Sequence, residues 1–257
     1  MYVKIGHLYP DLMNLYGDRG NVIALRRRCG WRGIEVESLE LRLGESFDFS
    51  ECDILFMGGG QDREQELVWP DLQPRRGELE AAVEGDAVFL AVCGAYQLLG
   101  HHYLTPSGRR IPGLGILDVH TEAGAKRLIG NAACQSDHLP TPGTLVGFEN
   151  HGGRTYLGSG CVPLARVTSG FGNNGEDGTE GAVYRNVFGT YLHGSLLPKN
   201  PHFADLLIGR ALRRRYPELL LGELDDALEW RAHRAALRLA GARTSWVSSD
   251  DPQQCPI

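Results

Sequence analysis

The chain has 257 residues, 42% of them hydrophobic and 23% charged, with a formal net charge of −6 at pH 7. That length can bury a sizeable core, as one large domain or a domain with an appendage, and the acidic balance argues against nucleic acid as a main partner. Six cysteines (Cys29, Cys52, Cys93, Cys134, Cys161, Cys255) are scattered without a C-x-x-C pair, which argues against a disulfide framework or a zinc site. No signal-like or membrane-spanning run is expected, so the reading is a reducing cytoplasm, where a free thiol can serve catalysis.

Residues 2–7 read as a first strand, followed by a mixed loop, Leu8-Tyr9-Pro10-Asp11-Leu12-Met13-Asn14-Leu15-Tyr16-Gly17-Asp18-Arg19-Gly20, that is either a connection or a binding lip. A helix fits 21–28, with Asn21 as N-cap and Cys29-Gly30 ending it. Strands follow at 33–39 and 53–57, the second running directly into Gly58-Gly59-Gly60. A helix over 71–83, with Pro74 near its start, leads to an unbroken apolar run from Ala87 to Val92, of the kind buried on both faces of a sheet. This β-α alternation implies a parallel sheet with helices on both faces, whose ligands bind beyond the carboxyl ends of the strands.

From Ile116 onward, shorter strands at 126–135, 145–149, 162–168, 181–184 and 187–191 suggest antiparallel hairpins beside that sheet. A helix over 201–215 carries Phe203, Leu206, Leu207 and Leu212 at helical spacing. In a second helix, Leu224, Leu228, Ala232, Ala235 and Leu239 trace an apolar stripe, with Arg231, Arg234 and Arg238 facing away. After Arg243 the composition reads as a disordered tail.

Cys93 sits where the buried run ends and small residues, Gly94 and Ala95, open a helical pattern. That grammar describes a sharp strand-to-helix turn presenting a nucleophile, with a helix start that favours the thiolate. A cysteine nucleophile needs a base, and two histidines have suggestive settings: His193, at the end of the apolar strand ending in Tyr191-Leu192, and His151, in Glu149-Asn150-His151-Gly152-Gly153. Backbone donors for an oxyanion are expected at Gly94 and in the Gly58-Gly59-Gly60 turn. No phosphate-loop or dinucleotide fingerprint is present, so those glycines are not read as a nucleotide site.

Ala91-Val92-Cys93-Gly94-Ala95-Tyr96-Gln97-Leu98-Leu99-Gly100 resembles the nucleophile motif of class I glutamine amidotransferases, in the branch of the cobyric acid synthase glutaminase domains. Gly189-Thr190-Tyr191-Leu192-His193-Gly194 resembles that branch's histidine motif, and His151-Gly152-Gly153-Arg154-Thr155 is similar to another of its marks. Four further segments are similar to the glutaminase subunits of lipid II isoglutaminyl synthases: those beginning at Tyr9, Gly58, Lys126 and Gly147. The resemblance implies an α/β, flavodoxin-like sheet, mostly parallel with antiparallel strands in the C-terminal half and flanked by helices. The resemblance runs from about Tyr2 to about Leu212, and with the helical pattern and polar tail beyond it the expected division is a glutaminase domain over 1–215, a helical extension over 216–243 and a tail over 244–257.

The resemblance implies that Cys93 attacks the side-chain amide of L-glutamine while His193 moves the proton, through a γ-glutamyl thioester. Gly59 or Gly60 and Gly94 would hold the oxyanion, Gln97 would line the glutamine pocket, and Arg127 would clamp the α-carboxylate as a bidentate guanidinium does. Most class I members carry a glutamate two residues after the histidine; here Ser195 stands there. A dyad, an acid elsewhere in the chain, or an acid donated by a partner are the alternatives, and the expectation is the partner. The implied partner is a Mur-ligase-like synthetase of the MurT type, in a heterodimer, which would carry ATP and Mg and present lipid II; no cofactor or metal is expected in this chain. A cobyrinate-type synthetase partner, or a non-catalytic module on the same fold, are the competing readings. The expected location is the cytoplasm, with the Arg-bearing helix able to dock the partner or approach the inner membrane face.

Overall fold

The computed structural model describes residues 1–242. The first half runs β1 (Tyr2–Leu8), α1 (Arg19–Trp31), β2 (Glu35–Leu41), β3 (Ile54–Met57), α2 (Asp62–Leu72), α3 (Arg76–Glu84), β4 (Val88–Val92) and α4 (Gly94–Leu99). Then come β5 (His102–Leu104), β6 (Arg110–Pro112), β7 (Val119–Gln135), β8 (Thr144–Leu157), β9 (Ala165–Ser169), β10 (Thr179–Glu180), β11 (Ala182–Tyr184) and β12 (Val187–Thr190). Two helices follow, α5 (Pro201–Arg213) and α6 (Ala227–Leu239).

One sheet has the order β2-β1-β3-β4-β12-β11, parallel throughout except for β11, which pairs antiparallel with β12. Every residue of β3 and β4 is buried, as their unbroken apolar sequences require of strands covered on both faces. The remaining strands form a sheet of their own, β10-β9-β7-β5-β6, with β8 paired to β7, antiparallel except where β5 meets β7. The β7–β8 hairpin is longer than its hydrophobic pattern suggests, because polar and glycine residues alternate with buried ones along both strands. Its register slips between Ala123 and Leu128, which pair with Gly153 and His151, so residues 124–127 bulge out opposite Gly152.

Several local expectations shift. The first helix starts at Arg19 with Asp18 in the capping position; Asn21 lies within it and accepts the Leu197 N–H at 2.9 Å. The helix expected over 71–83 is two, α2 and α3, with Pro74 in the tight turn Gln73–Arg75 between them. On α6 the apolar stripe is not the buried face: Leu228 and Leu239 are 64% and 74% exposed, whereas His233 and Leu237 are buried. A polar residue wins there because its needs are met: the His233 ring nitrogens lie 2.7 Å from Thr144 Oγ1 and 2.7 Å from the Lys199 carbonyl, with Trp230 and His202 packed around it.

The extension is tied down by buried Arg28 of α1, which donates to both oxygens of Asp205 on α5 at 2.7 Å and to Asp226, the cap of α6, at 2.6 Å. The tail expected over 244–257, and Arg243, lie outside the described residues.

Buried Glu180 stabilises the end of β12, accepting from the Thr190 hydroxyl at 2.6 Å and from the Tyr191 N–H at 2.9 Å. Burial pushes its carboxyl from 4.5 up to about 7, against the pull of those hydrogen bonds. Between those two values the folded chain keeps a proton that the unfolded chain releases, so stability falls as pH rises through that window. Glu180→Gln removes this loss, worth roughly 3 kcal/mol. Calorimetry should find the variant's Tm gaining on the wild type by several degrees between pH 5 and pH 8; an equal Tm difference at both values would contradict the assignment.

Candidate active site

Four parallel strands deliver their carboxyl ends to one edge of the first sheet, and the chain beyond each end carries one part of the site. Beyond β4, Cys93 has φ 53° and ψ −106°, a conformation that L-residues adopt at a cost of about 1–3 kcal/mol. It is held there by its own N–H, which donates to the Thr190 carbonyl of β12 at 2.8 Å, and by the close approach of Gly94 to Gly60. A side chain at Gly94 would overlap the Gly60 carbonyl, so glycine is required at that position.

Beyond β12, His193 is fully buried with Nδ1 3.1 Å from both carboxylate oxygens of Asp18. Asp18 follows the loop beyond β1, is itself fully buried, and accepts the Gly59 N–H at 2.8 Å. Burial disfavours the imidazolium, but the Cys93 thiolate charge and Asp18 outweigh it and hold the His193 imidazole above its ordinary range. Its Nε2 has no hydrogen-bond partner among the described residues. An added Cβ on Gly59 would come 2.8 Å from His193 Cε1, 3.2 Å from Asp18 Oδ2 and 3.5 Å from Cys93 Cβ, so the three side chains converge on that glycine.

An acid of this chain, Asp18, thus stands against the His193 imidazole, where the expectation is an acid donated by a partner. Ser195 accounts for the departure from the usual motif: its hydroxyl donates to the Gly17 carbonyl at 2.7 Å and pins the loop that carries Asp18. The signal available in the sequence was an acid between glycines, Gly17-Asp18-Arg19-Gly20, just past a strand end. Gly59 is also corrected, since its amide is committed to Asp18 and is not free for an oxyanion. The amides of Gly60 and Gly94 have no acceptor among the described residues, and their backbones touch beside the thiol.

The site opens into a cavity of about 480 Å³, lined by Cys93, Gln97, Asp62, Tyr103, Arg127 and His151 among others. Gln97 is anchored at both ends of its amide, accepting from Gln65 Nε2 at 2.8 Å and donating to the Tyr191 hydroxyl at 3.1 Å. Arg127 stands in the β7 bulge, and its Nε and Nη2 hold Asn150 at 2.8–2.9 Å, which leaves Nη1 for a carboxylate and not the full fork. His151 stacks on Tyr191 with ring centroids 3.7 Å apart, and its Nδ1 lies 2.9 Å from the Gly153 carbonyl. Burial lowers it to about 3, so it is neutral and a poor base, leaving His193 as the partner of the thiol. A depression of similar volume, about 470 Å³, lies against α1 and is lined by Ile23, Arg26, Arg27, Gly30, Ile34 and Val36, with no nucleophile or base.

Asp18→Asn keeps the size of the side chain and removes the charge that favours the imidazolium. Alkylation of Cys93 by iodoacetamide at pH 7, followed by mass spectrometry of the Cys93 peptide, should slow about tenfold. An unchanged rate would separate Asp18 from the thiol–imidazole pair.

Residues 4–201 match the CobB/CobQ-like glutamine amidotransferase domain. Over 91% of its length the chain is 46% identical to the lipid II isoglutaminyl synthase (glutamine-hydrolyzing) subunit GatD of Staphylococcus aureus, covering 95% of that protein. It is 40% identical to the GatD subunit of Streptococcus pneumoniae, over 88% of this chain and 87% of that one. A glutamine amidotransferase crystal structure from Thermotoga maritima shares the fold, with a TM-score of 0.53 at 16% identity over 93% of this chain and 95% of its own. The strand order, the strained cysteine and these relatives agree: the chain belongs to the CobB/CobQ-like glutamine amidotransferase family.

Proposed function

We propose that this chain is the glutaminase subunit of a lipid II isoglutaminyl synthase, releasing ammonia from L-glutamine for a Mur-ligase-like partner of the MurT type. The observation that carries the reading is the buried Cys93–His193–Asp18 set, whose Cys93 lines a cavity large enough for an amino acid. The Cys93 thiolate attacks the glutamine Cδ, and the amides of Gly60 and Gly94 take the charge that forms on its oxygen. His193 Nε2–H then protonates the leaving nitrogen, ammonia departs and a γ-glutamyl thioester remains. Water, deprotonated by the now neutral imidazole, adds to the thioester and releases glutamate and the thiolate. Asp18 keeps a proton on Nδ1 and stabilises the imidazolium at both stages.

In this reading ATP and Mg belong to the partner, which activates the D-glutamate carboxylate of lipid II for attack by ammonia. Among the described residues no helix is long and apolar enough to cross a membrane, which fits a subunit that meets the lipid substrate through its partner.

The test is an amidation assay with the purified partner, ATP, lipid II and glutamine carrying a ¹⁵N side-chain amide. The label is expected in amidated lipid II, and Cys93→Ala is expected to abolish both labelling and ammonia release. Unlabelled lipid II alongside vigorous ammonia release would point to a different synthetase. Asp18→Asn should lower kcat about 100-fold or more with KM little changed, in the complex as well as alone. A complex that keeps its full rate would show that the acid comes from the partner after all.

A further inference from the structure

A free amino acid brings two charges to its site, and Arg127 answers only the carboxylate. The cavity lining contains three cations, Arg63, Lys126 and Arg127, and a single carboxylate, Asp62. Asp62 is the first residue of α2, but the start of that helix is already capped: Gln61 and Glu64 form a reciprocal capping box, with Glu64 accepting the Gln61 N–H at 3.1 Å. Among the described residues no ion pair joins Asp62 to a cation of the lining, and Arg127 is turned onto Asn150. Buried Tyr103 of β5 stands beside Asp62; burial and that carboxylate push its phenol up to about 12, so it stays a neutral hydroxyl.

We propose that Asp62, with the Tyr103 hydroxyl, is the subsite for the substrate's α-ammonium group and makes the enzyme selective for a zwitterionic α-amino acid over other primary amides. The proposal rests on the glutaminase reading. With Cδ at the Cys93 sulfur, the α-nitrogen of an extended glutamine lies about 5 Å further on by bond lengths alone, and Asp62 and Arg127 line the same cavity as Cys93. An amide lacking the amine leaves the Asp62 charge without its counter-ion, the arrangement by which a site rejects an analogue more strongly than lost contact alone would.

The test compares ammonia release from L-glutamine and from glutaramate, which keeps the amide and carboxylate but has no amine, using the complex with its synthetase. Wild type is expected to prefer L-glutamine. Asp62→Asn should lower kcat/KM for L-glutamine about 50-fold, mainly through KM, and leave glutaramate within about twofold; Asp62→Glu, which keeps the charge, should restore part of the loss. An equal loss on both substrates, with a matching fall in Tm, would assign Asp62 to the start of α2 and overturn the subsite. Full activity of Asp62→Asn on L-glutamine would overturn it as well. Absence of ammonia release by the wild type would instead defeat the glutaminase reading itself.

Discussion

A carboxylate with no exposed surface must be matched by opposite charge or by N–H donors, and Asp18 has both, in the His193 imidazole and the Gly59 amide. Removing one partner of such a buried pair typically costs about 3–5 kcal/mol, because the other is left unmatched. The rest of the site is arranged around this requirement. β1 and α1 deliver the carboxylate, β3 the amide, and β12 the imidazole, so the pair forms only when β1, β3 and β12, with β4 between the last two, are in register. The thiol on the fourth strand then sees a protonated ring.

The strain at Cys93 is borne by what surrounds it. β4 is buried along its whole length, and the Cys93 N–H reaches across to β12, so relaxing the elbow would break a strand end out of the core. Glu180 fixes the same end of β12 from the other side, through Thr190 and Tyr191. Tyr191 in turn carries the stack of His151 and the hydroxyl that anchors Gln97. The histidine motif is thus a bracket as well as a base: one residue faces the thiol, and its neighbours hold the cavity wall.

Cys93 and His193 were singled out in the sequence because Cys93 ends an unbroken apolar run, His193 closes a largely apolar stretch, and each is followed by glycine, a local pattern with a local cause. Asp18 was not, since it meets His193 across 175 residues and the loop that carries it has no periodicity. Gly59 and Gly60 read alike in a run of three glycines, and only the hydrogen bond to Asp18 distinguishes them. On α6 the aliphatic pattern misled because Trp230 and His233 pack inward, the histidine finding partners in Thr144 and Lys199 that no spacing reveals. That β1 to β4 form a parallel sheet followed from the alternation of elements, but the strand at 187–191, expected in an antiparallel hairpin, joins that sheet parallel to β4, and the second sheet depended on pairings between distant segments.

The loop between β1 and α1 makes one more contact beyond Asp18: the Leu15 N–H donates to the Gly59 carbonyl at 3.1 Å. That carbonyl and the Gly60 N–H belong to one planar trans peptide and point in opposite directions. Holding the oxygen on one side therefore aims the amide on the other, beside Gly94. One loop thus holds both the carboxylate beside His193 and the peptide that carries the Gly60 amide. The two faces of the Gly59 residue are fastened to the same stretch of chain, its N–H to Asp18 and its carbonyl to the Leu15 N–H.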